Sequence, residues 1–595
     1  MNSRWTAGRQ VLGAGGFRAG IFGFLACVVA ATGIAATPFG AEAATRTVAI
    51  AGNHSEEAAG LAAEGTVAPE RVLRMEIVLA LHNRAQLDRL LGELVDASSP
   101  QYHRWLTSGE FNARFGPTES DIEAVTRWLA QSGFTIQSAS ASRRSIVFAG
   151  SAAKAQKVFS VRIAATADGK TYANLDDPVV PADLAPLIGT IRGLSNTLRA
   201  VPVVSAALAR QPPSLPASNE GGAVAFGPPD LWTFYDYAGL HAAGIDGTGT
   251  DCIAVAEVSN WNPSGVTEFD DVFGLPAASV SQIFADAADP GIIAGSATEA
   301  ELDVEYSHAA APGAPIAAYI GNDAASEGNG LPDAISRAIL DDKCGSIGIS
   351  FSFCGTDPAL FTVQLDSLFS QAAAYGEGVY AAAGDWGAAG LGVDRHMNCV
   401  VAKKRTVSEM AADPNVTAVG GTSFKPKFSA SGLDVGNVAE TVWHDGNKEP
   451  YGATGGGKSS LFGKPGFQTN GTPHDSARDV PDISFGASPY HPGYFWGEDG
   501  EIICCIGGTS LSTPYWAGIA QLVAQEAGER VGNLNTKIYA LGALHNPATS
   551  GLRDVTKGNN SFNGVAGFSA GKGYDRASGW GTPDIGVFVP AAAGK

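Results

Sequence analysis

The sequence predicts an α/β protein in which a mainly parallel sheet with helices on both faces is preceded by a small α+β domain. Beyond residue 230, short apolar strands alternate with helical stretches and Gly-rich loops, a succession typical of a parallel sheet. Residues 45–200 also alternate strands and helices, on a smaller scale. A segment rich in Pro, Gly, Ser and Ala separates the two regions, and 595 residues are too many for one ordinary core.

The first 44 residues have the pattern of a secretory signal peptide. Arginines at positions 4, 9 and 18 precede the apolar run GIFGFLACVVAATGIAA, and small residues follow up to AEAA at 41–44. The alternative is a membrane anchor, but a run of about seventeen residues is at the short end for spanning a bilayer. We therefore expect cleavage near Ala44, secretion to the extracellular space and no membrane attachment afterwards.

The composition bears on partners and on the compartment. Asp and Glu number 59 against 39 Lys and Arg, and the net charge of -20 argues against nucleic acid as a partner. An acidic surface suits a protein that works at low pH, although solubility explains it equally well. Cys27 leaves with the signal peptide, and the remaining cysteines are candidates for disulfides whose connectivity the sequence leaves open. They are Cys252, Cys344, Cys354, Cys399, Cys504 and Cys505.

Residues 45–200 form the predicted small domain, and no candidate catalytic groups cluster in it. Its patterns predict strands at 74–81, 134–139 and 144–150 and helices at 85–97, 119–133 and 151–160. The stretch SPQYHRWLTSGEFNARFGP at 99–117 is unusually aromatic and basic. It indicates either an ordered surface loop or a contact surface for another part of the same protein.

A linker is predicted between the two domains. The segment ARQPPSLPASNEGGAVAFGPPD at 209–230 indicates an exposed connection and a proteolytic site. We place the linker at residues 201–229 and the second domain at 230–595. The strands predicted in the second domain lie at 252–258, 314–320, 347–353, 378–385 and 416–421. Ligands of such sheets bind where the carboxyl ends of strands meet loops, and the candidate residues fall in such places.

Ser510, in CIGGTSLSTPYWAG, is a candidate nucleophile. The apolar periodicity after it predicts a helix from near Pro514 to about Ala527, so Ser510 is expected at or just before a helix N-terminus. Backbone N–H groups there would stabilise developing negative charge, and glycines would let a substrate approach. The alternative is an ordinary N-cap serine. A serine hydroxyl is a weak nucleophile without a base, and so a base must be found.

Carboxylates are better candidates for that base than histidines. His308, in YSHAAAPGAP, is the nearest histidine candidate, but no HGT-like sequence surrounds it. Glu299 and Asp303 are four residues apart and would project from one face of a helix, where their carboxyl groups can meet. The alternative is a solvated acidic face. Asp385 follows an apolar strand in a Gly-rich turn, where the alternative is an ordinary turn-forming Asp.

Five motifs in order resemble those of the sedolisins, the serine-carboxyl peptidases. They are EAELD at 299–303, AAAGD at 381–385, ADPNVTAVGGTSF at 412–424, ATGGGKSS at 453–460 and GGTSLSTP around Ser510. The stretch at 99–117 also resembles the signature of the activation prodomain of that family. The resemblance implies a subtilisin-like catalytic domain, a ferredoxin-like prodomain that inhibits it, peptide or protein substrates and a monomer.

The resemblance also implies roles for individual residues. Ser510 would be the nucleophile, Glu299 the general base and later acid, and Asp303 the group that orients Glu299 and shares its proton. Asp385, in its protonated form, would donate a hydrogen bond to the oxyanion. The inferred activity is that of a secreted, acid-active peptidase made as a zymogen that cuts itself within residues 200–230 on acidification. Endopeptidase and tripeptidyl-peptidase action are both compatible with the motifs.

Some positions depart from the family pattern. Glu257 could supply a further Glu that some members have, but Phe353 stands where their Trp is expected. Cys354 and Cys399 lie where some members carry a disulfide, and this is the pair that the resemblance favours. Cys504 and Cys505 adjoin the GGTS turn and have no role that the resemblance explains.

The resemblance implies one calcium ion near the C-terminus. DVTKGNN at 554–560 and AGKGYDRASGWGTP at 570–583 supply oxygen ligands of the kind that Ca²⁺ prefers. The expected ligands are the carboxylates of Asp554 and Asp575 and the carbonyls of Val555, Gly571 and Gly573. The alternative is a pair of turn aspartates.

Two rival functions use the same fold. A subtilisin-like peptidase with a histidine base lacks support because HGT and a matching N-terminal Asp motif are missing. A secreted binding module that retains a decayed peptidase fold is the other rival. Retention of Glu299, Asp303, Asp385 and Ser510 argues against decay.

Overall fold

A computed structural model of the chain describes residues 46–139, 144–206, 225–285, 288–326, 329–428, 434, 436–449 and 451–595. The predicted signal peptide and residues 207–224 of the predicted linker lie outside the described residues. We call residues 46–198 the N-terminal domain and residues 225–595 the C-terminal domain. Residues 199–206, which we call the cleft segment, connect to the N-terminal domain.

The N-terminal domain contains a four-stranded antiparallel sheet. Its strand order is Thr135–Ala139, Ser145–Ser151, Val72–Leu79 and Ile188–Arg192. Leu73, Met75 and Ile77 are buried because alternate residues of a strand point to one face. Two helices, Glu119–Gln131 and Ala152–Phe159, share a core with these side chains. The α+β prediction is confirmed.

The C-terminal domain contains an eight-stranded, mainly parallel sheet. Its order is Val280–Phe284, Ile316–Ile320, Cys252–Glu257, Cys344–Ile349, Gly378–Ala382, Val416–Ser423 and Thr441–Val442, and Ile483–Gly486 also pairs with Val416–Ser423. Only the Val416–Ser423 and Thr441–Val442 pair is antiparallel among the described neighbours in this sheet. Val255, Ile347 and Val379 are buried, as expected for strands covered on both faces.

Helices cover both faces of this sheet, which confirms the α/β prediction. On one face lie the acidic helix, Ser296–Ala310, the serine helix, Thr509–Ala527, and the helix Ile585–Ala592. On the other face lie the helices Gly330–Asp341 and Asp366–Tyr375. The acidic and serine helices can pack closely because Gly518 has no side chain; a Cβ at this position would clash with Ala310.

Two predicted boundaries were wrong, and the reasons are physical. The serine helix begins at Thr509, not near Pro514, since Gly508 at φ 114° starts it and Pro514 is tolerated inside it. The predicted strand at 347–353 is two strands, Cys344–Ile349 and Phe351–Cys354, separated at Ser350. The second of these leaves the sheet and pairs with the cleft segment.

The stretch at 99–117 is a contact surface between the two domains. The Trp105 indole N–H donates to the Arg530 carbonyl (3.2 Å), and its ring lies where a Cβ on Gly376 or Gly532 would be. The backbone N–H of Leu106 donates to the Ala374 carbonyl (2.8 Å). Residues 46–595 accordingly form one compact unit.

The remaining elements frame these sheets. Further strands are Thr47–Ala49, Ile163–Ala165, Tyr172–Asn174, Val179–Pro181, Arg199–Pro202, Ser205–Ala206, Ala225–Phe226, Leu391–Val393, Cys399–Val401, Gly457–Gly463, Ala477–Val480, Gly493–Glu498, Glu501–Gly507, Leu552–Arg553 and Thr582–Pro583. Further helices are Glu56–Ala63, Arg84–Leu94, Ser108–Arg114, Ala185–Leu187, Pro228–Phe234, Ala238–Ala242, Pro263–Phe273, Asp323–Ser326, Leu360–Leu365, Gly387–Ala389, Gly466–Gln468, Asn535–Gly542 and Pro547–Ser550. Every helix in the described ranges is too short or too polar to cross a bilayer.

Three disulfides join the six cysteines outside the signal peptide. Cys354 and Cys399 are bridged, as the family resemblance favoured. Cys252 is bridged to Cys344 across two neighbouring strands of the main sheet. The adjacent Cys504 and Cys505 are bridged to each other on the strand that precedes the serine helix.

Candidate active site

The acidic helix brings Glu299 and Asp303 to one side, where Glu257 joins them from the end of its strand. All three side chains are fully buried. The acidic helix is also buried around its whole circumference, from Ala297 to Ala310 except at Thr298. The alternative of a solvated acidic face is therefore wrong. We call Glu257, Glu299 and Asp303 the carboxyl cluster.

Burial raises the pKa values of the whole carboxyl cluster, because a charged carboxylate is poorly solvated there. The pKa of Asp303 rises to about 7, against hydrogen bonds from Ser350 and Glu257 that lower it. The pKa values of Glu257 and Glu299 are also raised well above the ordinary value, through burial first and through repulsion from Asp303 second. Because the three carboxyl groups are close together, one negative charge in the cluster suppresses the ionisation of the other two.

Ser350 links the cluster to the serine helix. Its hydroxyl donates to Asp303 Oδ1 at 2.7 Å and lies 3.3 Å from the Ser510 carbonyl oxygen. That carbonyl has no helical partner because residue 514, four positions on, is Pro and lacks an N–H. Sequence reasoning missed Ser350. The available signal was the pair of serines, Ser350 and Ser352, inside the predicted strand 347–353, and it does not distinguish one from the other.

Ser510 is the second residue of the serine helix and meets a peptide bond of its own chain. Its hydroxyl donates to the carbonyl oxygen of Val203. The Val203 N–H donates to the Ser350 carbonyl at 3.0 Å. The Ser510 hydroxyl and the Val203 N–H lower the pKa of Glu299 against the effect of burial, although neither Glu299 carboxyl oxygen has a hydrogen-bond partner among the described residues. The structure thus brings Ser510, Glu299 and Asp303 into one site.

Asp385 lies in the turn after Gly378–Ala382 and faces the start of the serine helix. Its Oδ1 accepts from the Thr509 backbone N–H at 2.8 Å and from the Thr509 hydroxyl at 3.0 Å. The ATGGGKSS stretch holds this turn, since Ala453 N–H donates to the Asp385 carbonyl and Gly455 N–H to the Gly384 carbonyl. Asp385 is therefore held by the serine helix on one side and by the stretch 453–460 on the other, so that its contacts extend beyond its own turn.

Gly508 marks the point where the reacting groups converge. A Cβ there would contact the Val203 carbonyl oxygen, Asp385 Oδ2 and Ser510 Oγ. The φ angle of 114° also excludes most other residues. A peptide carbonyl oxygen, the Ser510 hydroxyl and a carboxyl oxygen thus surround one position, an arrangement compatible with an oxyanion site.

Two residues lie away from this chemistry. His308 is buried, with Nε2 at 2.7 Å from the Pro276 carbonyl and at 3.5 Å from Asp270 Oδ1, and no contact links it to Ser510. Phe353, at the position of the expected Trp, packs against Phe361 with ring centroids 5.6 Å apart. Phe353 adds no polar group to the carboxyl cluster.

The C-terminal loops bring the two expected calcium-binding aspartates close together. Asp554 Oδ2 accepts from Gly573 N–H and Asp575 Oδ2 from Gly571 N–H, both at 2.8 Å. The Ser578 hydroxyl lies 3.1 Å from Asp575 Oδ1 and 3.4 Å from the Val555 carbonyl oxygen. The described residues contain no cluster of three or more His, Cys, Asp or Glu side chains that could hold a metal. The donor set is two carboxylates and backbone carbonyls, which is compatible with a hard cation.

Comparisons with known proteins agree with the motifs. Residues 59–197 match the model of the pro-kumamolisin activation domain. Sedolisin of Pseudomonas sp. (strain 101) is 29% identical over 523 residues, covering 86% of this chain and 85% of its own. Kumamolisin of Bacillus sp. (strain MN-32) is 29% identical over 558 residues, and the match covers 90% of this chain and 94% of kumamolisin.

Two further relatives add detail. Tripeptidyl-peptidase 1 of Rattus norvegicus is 26% identical over 554 residues, covering 88% of this chain and 92% of its own. A solved structure of Pseudomonas sedolisin, described as a serine-carboxyl proteinase complexed with two molecules of pseudo-iodotyrostatin, aligns with a TM-score of 0.51 and 26% identity. It covers 62% of this chain and 98% of its own.

Proposed function

We propose a function on the basis of family membership, because the chain belongs to the sedolisin family of serine-carboxyl peptidases and is a peptidase of that class. It is a secreted, acid-active zymogen that hydrolyses peptide bonds with Ser510, Glu299, Asp303 and Asp385. The observation that carries the proposal is the contact between the Ser510 hydroxyl and a peptide carbonyl, beside the carboxyl cluster. Its disulfides suit the oxidising compartment that secretion implies.

In the proposed reaction, the carboxyl cluster handles one proton. The cluster holds one negative charge, and transfer of a proton from Glu299 to Asp303 moves that charge beside Ser510. Glu299 then accepts the Ser510 proton as Oγ attacks the substrate carbonyl carbon, and later delivers it to the leaving amine. Ser350 and Glu257 stabilise Asp303 during these transfers.

Asp385 serves the oxyanion in this proposal. Its Oδ2 lies at the position where Gly508 leaves room for a carbonyl oxygen. A protonated Asp385 donates a hydrogen bond to the oxyanion and stabilises it, whereas an ionised one would repel it. This requirement favours activity in acid. Removal of the cleft segment lets water reach Glu299 and Asp303. Hydration lowers their pKa values and keeps one negative charge on the cluster at acidic pH.

The N-terminal domain acts as an intramolecular inhibitor. It carries the cleft segment into the site and is anchored to the C-terminal domain by an ion pair from Arg84 to Asp366. Burial raises the pKa of Asp366, so that its charge is lost at a higher pH than the charge of an exposed aspartate.

The cleft favours endopeptidase over tripeptidyl-peptidase action. Arg199–Pro202 pairs with Phe351–Cys354, so five residues up to Val203 lie on the N-terminal side of the reacting carbonyl. A tripeptidyl-peptidase binds a substrate whose chain begins three residues before that carbonyl.

We also propose one calcium ion held by Asp554, Asp575 and the carbonyls of Val555, Gly571 and Gly573. Its contribution would be to fix these loops in the folded state.

The first prediction concerns the base. The activated wild type and Glu299→Gln are assayed on a denatured protein substrate from pH 3 to pH 9. We expect the wild type to peak at roughly pH 3–5, near the titration of carboxyl groups, and Glu299→Gln to be nearly inactive throughout, since an amide cannot accept the proton.

Ser510→Ala is the matched control, because it removes the nucleophile and leaves the carboxyl cluster intact. Activity near roughly pH 7–9 that persists in Glu299→Gln would indicate a histidine base and contradict the proposal. A wild type without activity at any pH would favour the decayed binding module.

A further inference from the structure

We propose that the peptide bond between Val203 and Val204 is the first bond that this enzyme cuts, and that each molecule cuts it in its own chain. The inference rests on the proposed function and assigns the activation site to one bond. It places the cut before the Pro- and Ser-rich segment at 209–230, at the N-terminal edge of the window that the sequence indicates.

The cleft segment lies across the site as a substrate would. On one side of Val203, Arg199–Pro202 pairs antiparallel with Phe351–Cys354, with Pro202 opposite Phe351 and Arg199 opposite Cys354. On the other side, Ser205 and Ala206 pair antiparallel with Gly507 and Ile506. Such strand addition holds an extended peptide by its main chain. Val203 and Val204 are the two residues left between the paired stretches.

The reacting atoms of Val203 are held from both ends of its peptide unit. Its N–H donates to the Ser350 carbonyl at 3.0 Å, and its carbonyl oxygen accepts from the Ser510 hydroxyl. The side chain of Val203 is fully buried. The absence of a side chain at Gly508 admits the same carbonyl beside Asp385 Oδ2. Among the described residues, Val203 is the one whose carbonyl oxygen contacts the Ser510 hydroxyl.

The chemical step consumes one water and balances as follows. Ser510 Oγ forms a bond to the Val203 carbonyl carbon as its proton passes to Glu299. The bond from that carbon to the Val204 nitrogen then breaks, and Glu299 returns the proton to the nitrogen, which leaves as an amine. Water adds to the resulting Val203 ester, giving one proton to Glu299, which passes it to Ser510 Oγ as the ester bond breaks. One product ends in the Val203 carboxylate, and the other begins with the Val204 amine.

Chain connectivity indicates an intramolecular cut. Residues 193–198 alone separate the cleft segment from the last strand of the N-terminal sheet, Ile188–Arg192. Arg192 is buried and pairs with Glu76 (3.3 Å) of its own domain and Asp333 (3.8 Å) of the C-terminal domain. The docked N-terminal domain therefore keeps its own cleft segment in the position that a segment of another chain would have to occupy.

The test follows the purified full-length zymogen in buffers from pH 3 to pH 7, with mass spectrometry of early fragments. We expect the first fragment pair to end at Val203 and begin at Val204, with a rate constant unchanged over a hundred-fold dilution. Val204→Pro should slow cleavage of this bond by at least a hundred-fold, because proline removes the N–H and constrains the leaving nitrogen. Ala217→Pro, within the predicted linker, is the matched control and should cut normally.

The outcomes separate this inference from the proposed function. A first cut elsewhere that still requires Ser510 would overturn the assignment of the bond and leave the peptidase intact. A rate that falls in proportion to dilution would overturn the intramolecular route. Cleavage of Val203–Val204 in purified Ser510→Ala at the wild-type rate would overturn the inference, and an activated wild type without activity on a denatured protein would overturn the proposed function.

Discussion

Ser350 is the residue at which the main sheet, the carboxyl cluster and the cleft segment meet. Its side chain donates to Asp303, and its backbone carbonyl accepts from Val203. Hydrogen bonds to a charged group contribute more to stability than neutral ones, and the Ser350 hydroxyl favours the ionised form of Asp303. We infer that Ser350 is a positioning residue that keeps the negative charge within the cluster.

The second prediction follows from this contact. Ser350→Ala should raise the pKa of Asp303 above its value of about 7 in the zymogen, since one of the hydrogen bonds that lower it is lost. The acid limb of the kcat/KM profile of the activated enzyme should move to higher pH, and activity at pH 4 should fall by about ten-fold, because hydrogen bonds to charged groups contribute about 1.5–3 kcal/mol.

Two variants separate positioning from folding. Ser350→Thr keeps the hydroxyl and should restore the profile. Ser346→Ala, on the strand Cys344–Ile349 that precedes Ser350, removes a hydroxyl that donates to the Ala517 carbonyl at 2.8 Å, away from the carboxyl cluster, and should leave the profile unchanged. An identical pH profile in Ser350→Ala would show that the contact does not affect the reaction.

At the scale of elements, the sequence predicted helices and strands better than their surroundings. The spacing of Glu299 and Asp303 predicted one helical face correctly, because a four-residue spacing is a local property. Whether that face meets solvent or protein depends on the serine helix and the strands that cover it, which lie far away in the chain. The carboxyl pair could therefore be predicted, and its pKa values could not.

The errors at Pro514 and Ser350 have the same origin. Proline favours a first helical turn, and so it predicted a helix start; the helix extends five residues further because Gly508 and the Asp385 contacts fix its true start. An apolar run predicted one strand at 347–353, but Phe351–Cys354 pairs with the cleft segment instead. A local sequence pattern cannot predict that a strand pairs with a segment about 150 residues earlier in the chain.

The third prediction concerns the loops at 554–575. If they bind calcium, Asp554→Asn should have a lower Tm than the wild type, since an ion that binds only the folded state stabilises it by mass action. A chelator should lower the Tm of the wild type but cause no further decrease in the Tm of the variant. Asp554 is the suitable position because its carboxylate accepts a hydrogen bond from Gly573 N–H, whereas Asp575 also accepts from Ala577 and Ser578 within its loop.

Asp475→Asn is the matched control, because Asp475 is a carboxylate paired with Lys464 and Arg576 and is not among the expected ligands. Its chelator response should stay that of the wild type. Melting curves of the wild type that do not change with chelator, or with added calcium, would contradict a calcium site in these loops.

At the scale of the whole molecule, buried carboxyl groups determine how stability depends on pH. Burial raises the pKa values of Glu257, Glu299, Glu305 and Glu377 well above the ordinary Glu value of 4.5. A group with a raised pKa stabilises the fold fully below its unfolded pKa, and this stabilisation is lost as pH rises toward the folded pKa. Surface carboxyls with lowered pKa values, such as Asp168 and Asp394, act in the opposite sense, but at pH values below about 4.

The last prediction is that the Ser510→Ala zymogen, which cannot digest itself, is more stable at pH 4.5 than at pH 7. Each carboxyl that stays neutral when folded and ionises when unfolded lowers the free energy of unfolding by up to about 1.4 kcal/mol per pH unit above its unfolded pKa. Glu377 allows this to be tested outside the active site, since it is buried and neither of its carboxyl oxygens has a hydrogen-bond partner within the part of the chain that the structure describes. Glu377→Gln in the Ser510→Ala background should reduce the pH slope of the free energy of unfolding by about one proton relative to Ser510→Ala alone. Denaturant unfolding at several pH values measures these slopes, and a stability that rises from pH 4.5 to pH 7 would show that the buried carboxyls are ionised in the folded protein.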